Sequence, residues 1–196
     1  FIIAYGTHPD QTPEECLAAY GPTYNKFEFI HHDSHNPELF TTIGKTKRGT
    51  QVRVRKDILS ASCIITMGAI CHHYFAGYGG GRKLLFPGCG ETKSIYENHS
   101  LFVDAQTEKL ATSCQPGVLK SNPIAEDLFE YESFCKADMA IHGIMDQHGQ
   151  LADMILGNNR RKFLDACSIH AANFETNSDL YDMVITSCGG YPKDIN

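Results

Sequence analysis

The chain predicts an α/β fold, built on a mixed or mostly parallel sheet with flanking helices. Two observations carry this: short apolar runs bounded by turn residues alternate with capped helical stretches, and the run Ile64–Ile70 is apolar almost without interruption. With 196 residues, 42% hydrophobic and 20% charged, the chain can bury a substantial core as one large domain or two small ones. A net charge of −6 with no basic stripe argues against a nucleic-acid partner. The longest apolar runs are too short to span a bilayer, so no membrane segment is expected.

Phe1–Tyr5 reads as a buried strand ending at Gly6-Thr7-His8, and the carboxyl ends of strands are where open α/β sheets bind ligands. Thr12-Pro13-Glu14-Glu15 is a helix start, with a Thr cap, Pro at the first position and Glu three residues after the cap. The helix should end near Tyr20, at Gly21-Pro22. Phe27–His31 reads as a second strand. Leu39–Gly44 and Thr50–Arg55 form a hairpin across Lys47-Arg48-Gly49, with Val52 and Val54 alternating against Arg53 and Arg55. Cys63–Gly68 is a strand that feeds a glycine-rich loop. Asn122-Pro123 opens a helix through about Lys136. Met139–Met145 and Leu151–Leu156 read as strands around Asp146-Gln147-His148-Gly149. A helix from about Asn159 to Asn173 follows, and Tyr181–Ser187 reads as a last strand before Gly189-Gly190.

The eight cysteines include no C-x-x-C pair and several sit in apolar runs, so they read as reduced, buried thiols of a cytoplasmic protein. Cys71 and Cys89 flank the glycine loop, but buried and inert is the favoured reading for each. His31-His32-Asp33-Ser34-His35 resembles a metal cluster only superficially. Adjacent strand residues point to opposite faces, so polar loop surface is expected there. By the same rule, only one of His72 and His73 can face a cleft. His142, His148 and His170 read as surface or core.

The segment His73-Tyr-Phe-Ala-Gly-Tyr-Gly-Gly-Gly-Arg-Lys83, with Asn98-His99-Ser100 beyond it, concentrates chemistry. Glycine lets a backbone approach a ligand, and successive amides can cradle an anion. A P-loop would need Gly-Lys-Ser/Thr, but Leu84 follows Lys83. The G-x-G-x-x-G spacing fails because Arg82 takes the third glycine's place when counted from Gly77. The loop is therefore another kind of cofactor loop or a tight structural turn, with ligand binding favoured. Arg82 beside Lys83 should lower the lysine pKa and increase its nucleophilic fraction.

These motifs match a family. Gly6-Thr7-His8, His73-x-x-Ala76-Gly77-x-x-Gly80-Gly81-Arg82-Lys83, Pro87-Gly88, Asn98-His99-Ser100 and Gly189-Gly190-Tyr191-Pro192-x-Asp194 resemble, in order, the nickel-dependent lactate racemase family. The resemblance implies a Rossmann-like domain, residues 1–196 forming the cofactor-bearing part of a longer racemase. It also implies a nickel-pincer nucleotide, a pyridinium mononucleotide with two sulfur arms around nickel. Lys83 would hold this group covalently, with Gly77, Gly80, Gly81 and Arg82 in the binding loop. His99 would be the protein's nickel ligand, and His8 and His73 the acid–base pair. The implied partners are a small-molecule 2-hydroxy acid and the enzymes that make the cofactor. Pro9 stands where the family usually has Arg, and Gly79 where it has Ser. A related hydroxy acid or sugar acid, or a non-catalytic phosphate- or nucleotide-binding role, are the alternative readings.

Overall fold

The computed structural model describes residues 1–176, 179 and 181–185. The elements run β1 (Ile2–Ile3), α1 (Pro13–Tyr20), β2 (Ile30–His31), β3 (Phe40–Lys45), β4 (Gln51–Arg55), α2 (Lys56–Ser60), β5 (Ile65–Ala69), β6 (His72–His73) and β7 (Gly77–Tyr78). They continue with α3 (Thr92–His99), β8 (Val103–Asp104), β9 (Lys109–Leu110), α4 (Pro123–Phe134), β10 (Met139–Met145), β11 (Leu151–Leu156) and α5 (Arg160–Phe174). This is a mixed α/β fold with several small sheets. The largest has the order β11-β10-β5, antiparallel between β10 and β11 and parallel between β10 and β5. A second parallel pair joins β1 to β2.

Local chemistry explains the elements that the sequence makes plain. The Thr12 hydroxyl accepts from the Glu15 amide at 3.2 Å, and the Glu15 carboxylate accepts from the Thr12 amide at 2.8 Å. This closes the capping box that starts α1. Asn122 and Asn159 cap α4 and α5 by accepting from Ala125 and Lys162. In the β3–β4 hairpin Val52 and Val54 face inward, and Gly49 turns the chain at φ +102°.

Three apolar clusters hold the elements together. The main one gathers Val52, Val54 and Ile58 with Phe75, Phe86, Ile95, Ile124, Leu128 and Tyr131. Phe86 stacks on Tyr131 with ring centroids 3.8 Å apart, and the Tyr131 hydroxyl donates to the Arg53 carbonyl at 2.6 Å. A second cluster packs Phe163, Ala166 and Cys167 of α5 against Ile70, Tyr78 and Ile144. A third seats Cys16 of α1 against Ile3 and Tyr5.

Several expectations need correction. Of the segment His31–His35, Asp33 and His35 are exposed as expected, but His32 and Ser34 are buried. His32 is 2% exposed and donates from Nε2 to the Gly90 carbonyl at 2.9 Å, while Nδ1 accepts from Arg55. The Ser34 carbonyl accepts from the Thr92 amide. The polar groups of His32 and Ser34 thus find partners, which is what allows these two residues to be buried. Not every cysteine is buried: Cys63 and Cys71 are exposed. Of the strand expected over Tyr181–Ser187, residues Tyr181–Ile185 are exposed and pair with no described strand, and Thr186 and Ser187 lie outside the described residues. Gly189, Gly190, Tyr191, Pro192 and Asp194 also lie outside them.

Candidate active site

The site forms where three segments meet, and backbone bonds bring them together. After β1 the chain turns at Gly6, whose amide donates to the Gly88 carbonyl at 2.7 Å. The Gly88 amide in turn donates to the Lys83 carbonyl at 2.8 Å. The loop carrying His8 is thereby stitched to the turn carrying Lys83. His8 itself is exposed, and its amide donates to the Tyr5 carbonyl.

The glycines of the loop shape the turn itself. Gly77 and Gly80 have φ of +78° and +72°, a region costly for residues with a Cβ. A methyl group at Gly77 would lie 2.5 Å from the Val118 carbonyl oxygen, and one at Gly80 would overlap that of Ala69. Gly81 packs against Phe163. The Cβ directions of all three are thus filled by protein, and their shared effect is a compact approach into the 3-10 turn Gly81–Leu84 that presents Lys83. Arg82, the next residue in that turn, sends its guanidinium into the second core between Phe129 and Phe163.

On the short β6–β7 hairpin His72 and His73 diverge, as strand geometry requires. His72 turns to a separate group, with Nε2 2.7 Å from Glu175 Oε1 and Nδ1 3.2 Å from His170. The Tyr78 hydroxyl donates to the same Glu175 oxygen at 3.0 Å. His73 accepts at Nδ1 from the Ala76 amide at 3.2 Å. In its neutral form it therefore carries its proton on Nε2, an assignment made from the bond pattern. Its ring meets Phe75 edge-on at 4.6 Å, and Phe75 meets the His99 ring at 4.9 Å. Phe75 thus stands between the two imidazoles.

His99 closes α3, whose position is fixed by a buried polar knot. Asn98 Nδ2 and the Thr50 hydroxyl both donate to Asp127 Oδ2, at 2.8 and 2.6 Å. His99 Nδ1 is buried and has no hydrogen-bond partner among the described residues.

Electrostatics ties the group together. Burial, then the Arg82 charge, lowers the Lys83 pKa to about 7. Burial lowers that of His73 to about 3, with Lys83, His99, Arg82 and His8 adding repulsion. Burial and then Lys83 lower His99 to about 4. The result is a neutral-prone amine and two neutral imidazoles in one place. A buried neutral amine is a nucleophile, and neutral imidazole ligates metals. A bound anion would offset the mutual repulsion and raise all three pKa values.

Sequence reasoning named His8, His73, Lys83 and His99, and in the structure the charges of His8, Lys83 and His99 act on His73. It missed Phe75 and the Asp127–Thr50 support. Asp127 had a readable signal, because it falls on the stripe Ile124, Leu128, Tyr131 where a helix buries its apolar face. Among the described residues no three His, Cys, Asp or Glu side chains converge in a metal-holding group, and no helix is long and apolar enough to cross a membrane.

All four residues lie within residues 1–111, the stretch matched by the family model described as the lactate racemase N-terminal domain. The chain belongs to this family. Two curated lactate racemases resemble it over its whole length: that of Thermoanaerobacterium thermosaccharolyticum is 30% identical and that of Lactiplantibacillus plantarum 27% identical. The chain spans 45% of the length of each. The solved structure of the lactate racemase apoprotein from T. thermosaccharolyticum superposes with a TM-score of 0.87 at 29% identity, over 97% of this chain and 45% of that one. A Thermotoga maritima protein superposes with a TM-score of 0.64 at 15% identity, over 87% of this chain and 45% of its own, which shows a shared fold.

Proposed function

We propose that residues 1–196 are the cofactor-bearing domain of a racemase or epimerase acting on lactate or a related 2-hydroxy acid. The observation that carries this reading is that His8, Lys83 and His99 all lie near enough to His73 for their charges to act on it, inside the stretch matched by the family model. The associated fold reading is Rossmann-like. It is supported by the parallel pairs β1–β2 and β5–β10, with His8 and the glycine loop following the carboxyl ends of β1 and β5.

The residues fit a lysine-tethered nickel-pincer nucleotide. Lys83 is half-buried and its pKa is lowered to about 7, which raises the fraction of free amine that covalent attachment requires. His99 offers a half-buried imidazole whose pKa is lowered and whose buried Nδ1 has no hydrogen-bond partner among the described residues, and imidazole suits nickel. When bound, such a group supplies the capacity to take a hydride from the substrate carbon and return it to either face.

The protein's share is orientation and proton transfer. The neighbouring charges that lower the pKa values of Lys83, His73 and His99 would be offset by a carboxylate-bearing substrate. His8 and His73 approach from different segments, which suits two bases serving opposite enantiomers. Acylation of Lys83 removes its positive charge, the largest repulsive influence on His73 after burial. That change moves His73 back towards a value useful for proton exchange. Pro9, in place of the usual Arg, alters the residue beside His8 and favours a substrate related to lactate rather than lactate alone. The enzymes that build the cofactor are the expected partners, and the exposed thiols of Cys63 and Cys71 suit the reducing cytoplasm.

The test is racemisation by the full-length protein produced together with the cofactor-making enzymes. Interconversion of the enantiomers of lactate or a related hydroxy acid, lost in Lys83→Arg, supports the reading. Full activity of Lys83→Arg would overturn it.

A further inference from the structure

The surroundings of Arg82 form a second site, separate from the cluster around Lys83. Arg82 is 4% exposed, and its guanidinium carbon lies 4.1 Å from the Phe129 ring centroid and 4.6 Å from that of Phe163. Cation–π contact of this kind satisfies the guanidinium's faces but none of its N–H groups. Nε, Nη1 and Nη2 are all buried, and none has a hydrogen-bond partner among the described residues. An unpaired buried charge is costly, so such donors call for an acceptor.

The guanidinium borders a cavity of about 10 Å³ lined also by Thr66, Glu132, His142, Asn158 and Asn159. His142 Nδ1 is likewise buried without a partner among the described residues. Asn159 caps α5, a helix of 15 residues, so the cavity lies at a helix N-terminus. Arg160 adds positive charge, its guanidinium carbon 3.9 Å from the Phe129 ring centroid. The carboxyl group in the lining is Glu132; burial raises its pKa, while the nearby Arg82, Lys136 and Arg160 charges pull it down. That space is small and partly open, with room for a water or a small ion beside the guanidinium.

We infer that this cavity binds one monatomic anion, chloride in the cell, held by the Arg82 guanidinium against His142 and the N-terminus of α5. The anion would join β5, β10, α4 and α5 behind the turn that presents Lys83. The inference stands on Arg82's surroundings and is independent of the proposed reaction.

The test uses the full-length protein without substrate. Thermal unfolding is followed in sodium chloride and in sodium gluconate at equal ionic strength, and crystals grown in sodium bromide are examined at the bromine absorption edge. The expected results are a Tm that rises with chloride, no such rise in Arg82→Met, and an anomalous peak within hydrogen-bond distance of the guanidinium. If Arg82→Met does not fold, the bromide peak in the unaltered protein decides alone. Absence of that peak, with equal Tm in chloride and gluconate, would mean that water or the Glu132 carboxylate satisfies Arg82, and would overturn the inference. A chloride effect that persists in Arg82→Met would also overturn it.

Discussion

Lys83 illustrates how much of a side chain's chemistry comes from its surroundings. Its neighbour Arg82 was visible in the sequence as a cause of a lowered pKa, yet burial is the larger cause, and burial depends on how distant segments fold over the turn. Similarly, His73 and His99 were recognisable as cleft residues by strand alternation and by resemblance, while Phe75 between them was not, since nothing local separates it from a core phenylalanine. The coupling is testable. In Lys83→Met the pKa values of His73 and His99 should both rise, because a positive neighbour is lost, but remain below 6.5 because burial persists. Histidine resonances followed by NMR titration check this; unchanged values would place Lys83 away from both rings. A stability effect follows as well. Native His73 and His99 titrate near 3 and 4 against 6.5 when unfolded, so between pH 6.5 and 4 the unfolded chain binds protons that the native chain refuses. Stability should fall on acidification through that window, by up to about 1.4 kcal/mol per pH unit for each group. Urea unfolding of the His73→Gln/His99→Gln variant should show a shallower acid limb than the parent. An identical slope would mean that neither histidine is shifted.

Among the elements, those with strong local chemistry were legible. The capping box of α1, the Asn caps of α4 and α5, and the β10–β11 hairpin around Asp146–Gly149 stand where the sequence places them, within a residue or two. The helix α2, the hairpins β6–β7 and β8–β9, and α3 were not legible, because two-residue strands and short helices are held by tertiary contact more than by propensity. The α3 helix matters most, since it carries His99, and Asp127 secures it. Asp127→Ala would leave the Thr50 hydroxyl and the Asn98 amide without their buried acceptor. The expected loss is about 3 kcal/mol or more, read as a lower urea midpoint at unchanged m-value. A loss below about 1 kcal/mol would show that the knot is not what holds α3.

For the molecule as a whole, the α/β class was readable from alternation, but the division into small sheets was not, since pairing partners lie far apart in sequence. The burial of His32 and Ser34 escaped for the same reason, their partners being Gly90, Arg55 and Thr92. The thiols offer a check on the overall packing. Cys63 and Cys71 should react rapidly with a thiol reagent in the native protein, whereas Cys16, Cys89, Cys114, Cys135 and Cys167 should react only on unfolding. Fast modification of Cys89, whose pKa burial raises to about 12, would contradict the core described around it. The central claim, that four basic residues build one site in which Lys83 carries the reactive group, is tested most directly by peptide mapping. The full-length protein, produced with the cofactor-making enzymes, is digested and its peptides analysed by mass spectrometry. The account predicts a covalent adduct on Lys83, absent in Lys83→Arg and still present in His99→Ala; an active protein with Lys83 unmodified, or with the adduct on another lysine, would contradict it.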